Sequence, residues 1–178
     1  MQTITLNKTT FFTQSFLKPF SISLMLAISA QINILTVPVP ITLQSLVILF
    51  IGLSCSPRVA ALSVVYYLIE IGLGLPFGSG FSSGLTALLS PRAGYFIGFL
   101  ASVYAASKIL TYKRNFFTLW LAAIAGTILL YACGITWLSV LFGIEKALTI
   151  GLYPFISEIL AFIAIAVIGS HQAHKLIK

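Results

Sequence analysis

Six apolar stretches succeed one another along the chain: Pro19 to Leu35, Ile41 to Ser54, Val59 to Leu75, Pro91 to Leu110, Phe116 to Trp137 and Leu152 to Gly169, with most of the charges in the breaks between them and at the two chain ends. A helix that crosses the hydrocarbon core of a bilayer needs roughly 20 residues, so 178 residues leave room for about six such helices and little else. Charged types make up only 7% of the chain, where a soluble domain carries roughly a quarter. A soluble surface cannot be coated with so few charges. Disorder is excluded by the same count, because disordered chains are polar and charge-rich.

The breaks have their own chemistry. Thr36-Val37-Pro38-Val39-Pro40 ends the first stretch, since paired prolines remove donors and fix an extended turn. Ser56-Pro57-Arg58 breaks the second, which is short for a span and is tilted or starts below the bilayer surface. Gly72 to Ser90 is too rich in glycine and serine for a continuous helix, and Pro91 fits the first turn of the fourth span. Tyr112-Lys113-Arg114-Asn115 is a polar turn, and a connector with Gly143, Glu145 and Lys146 precedes the last span. The expected organisation is a segment 1–18, a six-helix transmembrane domain over 19–170 and a tail over 171–178. The first residues lack the charged start, apolar stretch and cleavage site of a signal peptide, so the spans themselves direct insertion.

The ten basic residues set the orientation. With the N-terminus in the cytoplasm, Lys8, Lys18, Arg58, Lys108, Lys113, Arg114, Lys175 and Lys178 face inward, and only Arg92 and Lys146 face outward. This asymmetry supports an all-α integral membrane protein of six transmembrane helices, multi-pass in the cell membrane and surrounded by lipid, with both termini cytoplasmic. The basic residues form no run with interleaved aromatics, which argues against nucleic acid as a partner. The inner turns are short and basic. The outer ones hold glycine, serine, proline and nearby acids, which suits a binding pocket.

Individual residues carry different weights. Glu158 lies in the last span near its outer end, where an acid at span centre costs on the order of 3 kcal/mol. It is either a carboxylate facing an interior pocket or an acid close enough to the surface to reach water. Glu70, near the outer end of the third span, poses the same question less sharply. Arg92 can clamp a carboxylate or anchor to lipid headgroups. Thr42 and Gln44 can bond a polar ligand or a neighbouring helix. Ser79, Ser82 and Ser83 stand among Gly78, Gly80 and Gly84, a composition for a lid or a flexible turn. Aromatics near outer ends, Tyr95 among them, suit an interfacial belt or stacking on a flat ring. Ser23, Ala27 and Gln31 fall four apart with Ala30 nearby, a small-residue face that lets another helix approach. His171 and His174 make no complete metal site, and Cys55 and Cys133 read as small apolar fillers. No GxxxxGK[ST] phosphate loop, HExxH or nucleophile elbow occurs, so neither a nucleotide site, a resident cofactor nor an enzymatic activity is expected.

Several motifs in order carry a family resemblance. Ala30-Gln31-Ile32 is followed by Val39-Pro40-Ile41-Thr42-Leu43-Gln44, then Ser56-Pro57-Arg58 with Ala61-Leu62-Ser63. Gly74-Leu75-Pro76 and the Gly/Ser loop lead to Ser90-Pro91-Arg92-Ala93-Gly94-Tyr95-Phe96-Ile97-Gly98-Phe99; Tyr131, Gly134, Trp137-Leu138 and Gly151 to Phe155 follow. The chain resembles BioY, the biotin-specific S component of energy-coupling factor transporters, whose patterns include AQI, VPITLQT and GLP…GPTGGYLIGF. The resemblance implies a six-helix S-component fold with an outward-facing biotin pocket. It also implies a separate motor, a transmembrane coupling protein and two ATPase subunits, and then the small-residue face of Ser23, Ala27 and Ala30 would dock the coupling protein. Thr42, Gln44, Ser79, Ser82, Ser83, Arg92, Tyr95 and Glu158 are the expected ligand-binding residues.

Departures from the family are equally informative. Glu158 stands where the family's Asp is expected, after a one-residue deletion, and the Lys three residues beyond it has no counterpart. Arg92 replaces a usual Thr, and Phe81 and Ser83 occupy usual glycine positions. Arg92 is the candidate to supply the missing positive charge for biotin's carboxylate. An S component for another vitamin and a ligand-free structural subunit remain as alternatives.

Overall fold

The computed structural model describes residues 13–34 and 39–176. Lys8, Lys178 and Thr36 to Pro38 lie outside the described residues, as do the side chains of His174 and Lys175. The described chain is helical apart from one short strand pair. Six principal helices follow one another: α1 (Lys18–Gln31), α2 (Gln44–Ser54), α3 (Pro57–Gly72), α5 (Ala93–Tyr112), α6 (Phe116–Phe142) and α8 (Ile156–Leu176). Two short ones, α4 (Gly84–Leu88) and α7 (Ile144–Gly151), lie in the connectors. Three helical stretches, Ala93–Tyr112, Phe116–Phe142 and Ile144–Gln172, are long and apolar enough to cross a membrane.

Local chemistry sets the boundaries. Pro19 and Pro57 sit in the first turns of α1 and α3, where a missing N–H costs nothing. The sequence pattern starts the fourth span at Pro91; the helix instead begins at Ala93, and Pro91 belongs to the preceding turn. Asn115 begins α6 with reciprocal bonds: its carbonyl oxygen accepts from Thr118 N–H at 2.7 Å, and its own N–H donates to Thr118 Oγ1 at 2.9 Å.

Strands β1 (Asn33–Ile34) and β2 (Ile41–Thr42) pair antiparallel, Asn33 opposite Thr42 and Ile34 opposite Ile41. The Leu43 N–H also donates to the Ile32 carbonyl at 3.0 Å. This clamp fixes the start of α2 beside the end of α1, which puts Thr42 and Gln44 at one end of the bundle. α2 has 11 residues, a reach of about 16 Å.

One core cluster, with Leu26, Ile48, Val64, Tyr67, Val103 and Leu138 fully buried, extends from this clamp between α1, α2, α3, α5 and α6. A second, with Leu53, Ala106, Ala122, Ala166 and Val167, lies between α2, α5, α6 and α8. There Arg114 Nη2 donates to Ser170 Oγ at 2.9 Å, and Ser170 Oγ donates to the Leu53 carbonyl at 3.0 Å, joining the ends of α2, α8 and the α5–α6 turn. α5 and α6 approach very closely: a methyl on Gly98 would come within 2.6 Å of the Leu130 carbonyl oxygen. The outside is apolar, with Ile28, Ile97, Ile128, Val140 and Leu160 more than 60% exposed, a surface suited to hydrocarbon rather than water.

The small-residue face of α1 does not look outward. Ser23, Ala27 and Ala30 are 0%, 6% and 0% exposed, because α1 packs this face onto α3 of the same chain. Small side chains allow that approach, and the helix they admit is the chain's own. The expectation of a docking face at Ser23, Ala27 and Ala30 is therefore corrected. The large apolar residues that α1 turns outward are Phe20, Leu24, Met25 and Ile28.

Candidate ligand-binding site

At the end of the bundle that holds the β1–β2 clamp, a narrow cleft of about 30 Å³ lies between α2, α5, α6 and the Gly/Ser loop. Val39, Pro40, Thr42, Gln44, Ser45, Ser79, Arg92, Tyr95, Phe96, Phe99, Tyr131 and Phe155 line it. Its floor is aromatic. The Tyr95 and Tyr131 rings meet edge to face at 6.1 Å, and Phe155 packs 5.7 Å from Tyr131 and 6.4 Å from Tyr95. Gly134 makes room for this arrangement, since a methyl there would meet the Tyr95 ring at 2.5 Å. Tyr95 is held from below by its hydroxyl, which donates to the Gly151 carbonyl at 2.7 Å.

The rim is polar and tied together. Arg92 precedes α5 and reaches over the loop, Nη1 donating to the Ser79 carbonyl at 3.3 Å and Nη2 to Ser82 Oγ at 3.1 Å. Burial lowers its pKa from the ordinary arginine value, yet a guanidinium stays charged in proteins. Gln31 holds the same loop from α1: Nε2 donates to the Gly78 carbonyl at 3.1 Å, and Oε1 accepts from the Phe81 N–H at 3.2 Å. Gln44 Nε2 donates to the Tyr67 hydroxyl at 2.8 Å, which donates to the Phe77 carbonyl at 3.1 Å. Gly80 and Phe81 both take positive φ, 65° and 58°, which folds the loop tightly over the cleft.

One polar atom in this rim stands out. The Ser79 hydroxyl is buried, lines the cleft and has no hydrogen-bond partner among the described residues. Buried polar atoms are nearly always bonded, so an orphan facing a cavity marks a place for a ligand atom or water. Arg92 supplies charge beside it. The arrangement is an aromatic floor of mutually inclined rings below a cation and a hydroxyl, which fits a ligand with an apolar ring body and an anionic or carbonyl-bearing end.

Of the residues singled out in the sequence, Thr42, Gln44, Ser79, Arg92 and Tyr95 come together in the cleft. Ser82 stands behind the wall, bonded to Arg92. Ser83 precedes α4, away from the lining. Glu158 is elsewhere: it lines a shallow groove with Ile32, Asn33, Ile41, Thr42, Leu43 and Phe162. The Tyr153–Phe155 turn puts Phe155 into the cleft, and Glu158, one turn further along the chain, faces the other side of β2. The shared pocket expected for Glu158 and Arg92 is thus two separate concavities that meet only at Thr42. Phe96, Phe99, Tyr131 and Phe155 were not singled out as ligand residues. For two of them a signal existed: Arg92, Tyr95, Phe96 and Phe99 repeat at three- and four-residue spacing, one face of a helix.

Comparison with known proteins agrees with this architecture. The family model described as the BioY family matches residues 5–178. A protein of Pyrococcus horikoshii named probable biotin transporter BioY is 34% identical over 142 residues, 80% of this chain and 85% of its own length. The biotin transporter BioY of Thermotoga maritima is 27% identical over 153 residues, 85% of this chain and 90% of its own. A crystal structure of the S-component for biotin from an ECF-type ABC transporter superimposes with a TM-score of 0.80 at 24% identity, covering 97% of this chain and 95% of that one, so the two share a fold. Matched by the family model over nearly all of its length, and by a 34% identical relative over four fifths of it, the chain belongs to the BioY family.

Proposed function

We propose that the chain is the membrane-embedded capture subunit for biotin, binding the vitamin at the outer face and passing it inward with the help of an ATP-driven partner. The observation that carries this reading is the cleft itself, with Arg92 and the unbonded Ser79 hydroxyl above the Tyr95, Tyr131 and Phe155 floor. Biotin has the complementary parts. Its sulfur-containing ring is apolar, the ureido ring fused to it carries two N–H donors and a carbonyl, and its valerate ends in a carboxylate. The rings rest on the aromatic floor; Thr42, Gln44 and Ser79 bond the polar ends; Arg92 takes the carboxylate and makes up for the lysine absent after Glu158. Ser82 acts through Arg92, whose guanidinium it holds. Glu158 stands outside the cleft, in the groove beyond Thr42, and Ser83 lies in the loop beside it.

The names of the relatives, biotin transporters, support the substrate. The structural neighbour's title, an S-component of an ECF-type transporter, supports the division of labour. In that division a transmembrane coupling protein and two ATPases supply the energy, and this chain catalyses no reaction. Six crossings of the plasma membrane, made by α1, α2, α3, α5, α6 and α8, put both termini in the cytoplasm. Lys18 and Arg114 lie at the end of the bundle away from the cleft, so the positive-inside tendency places the cleft outside.

The cleft, at about 30 Å³, is smaller than the roughly 300–1,000 Å³ of typical small-molecule sites, and movement of the loop over residues 77–82 is the expected way in. The test is equilibrium binding of labelled biotin to the purified chain in detergent, beside Glu158→Ala. Saturable binding, with riboflavin and thiamine failing to compete, is the expected result. Failure of well-folded protein to bind biotin would overturn the reading. Loss of binding in Glu158→Ala would move the ligand toward the groove beyond Thr42.

A further inference from the structure

We propose that the groove between α1 and α3 is the docking surface for a membrane partner's helix that brings a lysine or arginine to Glu70. For the partner's identity, the coupling protein, this rests on the function proposed above. The groove measures about 390 Å³ and is lined by Phe16, Leu17, Phe20, Tyr66, Ile69 and Glu70. Phe16, Leu17, Phe20 and Ile69 are each about half exposed (49%, 54%, 48% and 51%), so the groove opens on the outside of the bundle. It is apart from the cleft, and the two share no lining residue.

Glu70 is the anomaly in this apolar surface. It is one of only three acids in the chain and is 7% exposed. Its Oε1 accepts from Ser23 Oγ at 2.8 Å, while its Oε2 is buried with no partner among the described residues. Even the Ser23 bond is shared, because the same hydroxyl lies 2.7 Å from the Phe20 carbonyl and has one proton to give. A buried carboxylate with a fraction of one donor is under-satisfied, and such groups are normally paired with a cation. Among the described residues, no basic side chain lines the groove. An apolar trough with an unpaired carboxyl in its wall complements an apolar helix with one basic side chain, and the basic group supplies the donor that Oε2 lacks.

The experiment co-expresses the tagged chain with the coupling protein and both ATPases of its own organism, then measures how much coupling protein is retained in detergent. Glu70→Gln keeps an acceptor for Ser23 and nearly the same volume but removes the charge. Ile69→Trp fills the groove and leaves Glu70 intact, guarding against simple loss of fold. Both variants are expected to retain about tenfold less coupling protein, with biotin binding by the isolated chain unchanged. Retention at the wild-type level in Glu70→Gln overturns the proposal, whether because the carboxyl is simply protonated or because lipid fills the groove. Loss in Glu70→Gln with none in Ile69→Trp overturns the placement in the groove. A wild-type chain that retains no coupling protein also overturns it. If assembly depends on Glu70 while the isolated chain binds no biotin, this inference stands and the biotin reading falls.

Discussion

Ser79 and Arg92 make separable contributions, and their ordinary hydrogen bonds say how to tell them apart. The Ser79 hydroxyl has no partner among the described residues, so Ser79→Ala removes no bond to them and leaves thermal stability unchanged or slightly higher. A hydrogen bond to bound ligand is worth about 1 kcal/mol, so the same variant weakens biotin binding by about fivefold. A purely structural serine would show the reverse, lost stability with affinity intact. Arg92 gives a larger effect. Hydrogen bonds to charged groups contribute roughly 1.5–3 kcal/mol, and Arg92→Thr is expected to weaken biotin by about 10- to 150-fold. The discriminating ligand is biotin methyl ester, which lacks the carboxylate. Arg92→Thr should bind it nearly as the wild type does, so the preference for acid over ester collapses. Equal losses for acid and ester would mean that Arg92 acts only by holding the loop through Ser79 and Ser82.

The elements show where sequence reasoning succeeds and where it stops. Gly134 is a test of the α5–α6 contact: Gly134→Ala puts a methyl into the Tyr95 ring, and overpacking of this kind costs about 1–3 kcal/mol. Both a lower unfolding temperature and weaker biotin binding are expected, since Tyr95 is floor as well as core. Asn115→Ala, at the far end of α6, removes the capping pair with Thr118 and should cost about 1 kcal/mol in thermal stability without touching affinity. All six principal helices were legible because a bilayer demands long uncharged stretches, and the charges and prolines between them mark the ends. The break from Gly72 to Ser90 was legible for the same reason. What periodicity does not contain is the rotation of each helix about its axis. Ser23, Ala27 and Ala30 read as a docking face, but nothing local says that α3 already occupies it. Glu158 and Arg92 both read as ligand-binding residues, although the side on which α8 presents Glu158 puts it in the groove with Ile41 and Leu43 and not in the cleft with Arg92. The aromatic floor escaped for a related reason: in an apolar chain, Tyr131 and Phe155 look like any other span residue until packing gathers them.

At the scale of the whole molecule the two ends of the bundle differ in chemistry. The cleft, the Gly/Ser loop and the β1–β2 clamp share one end. Lys18, Cys55 and Ser56 line a concavity at the other, where Arg114 also bonds Ser170 near the end of α8. Fixed positive charge at a helix boundary resists translocation, so the end rich in Lys and Arg is expected to stay in the cytoplasm. Two connectors test this directly, because they flank the single long helix α6: Lys113 precedes it and Lys146 follows it, and both are exposed. With Cys55 and Cys133 replaced by serine, a single cysteine at each position can be labelled in intact cells by a membrane-impermeant maleimide. Lys146→Cys should react in intact cells, and Lys113→Cys only after permeabilisation. The reverse pattern would turn the cleft toward the cytoplasm, and a capture subunit for external biotin would then be facing the wrong compartment. Reaction of both from one side would mean that α6, at 27 residues the longest helix described, does not cross at all, which its apolar length of about 40 Å makes physically untenable in a bilayer core of about 30 Å unless it lies along the surface. The amide groups of a surface helix would be wetted on one face, whereas α6 buries residues along its whole length against α5, α7 and α8, so crossing is the arrangement its packing supports.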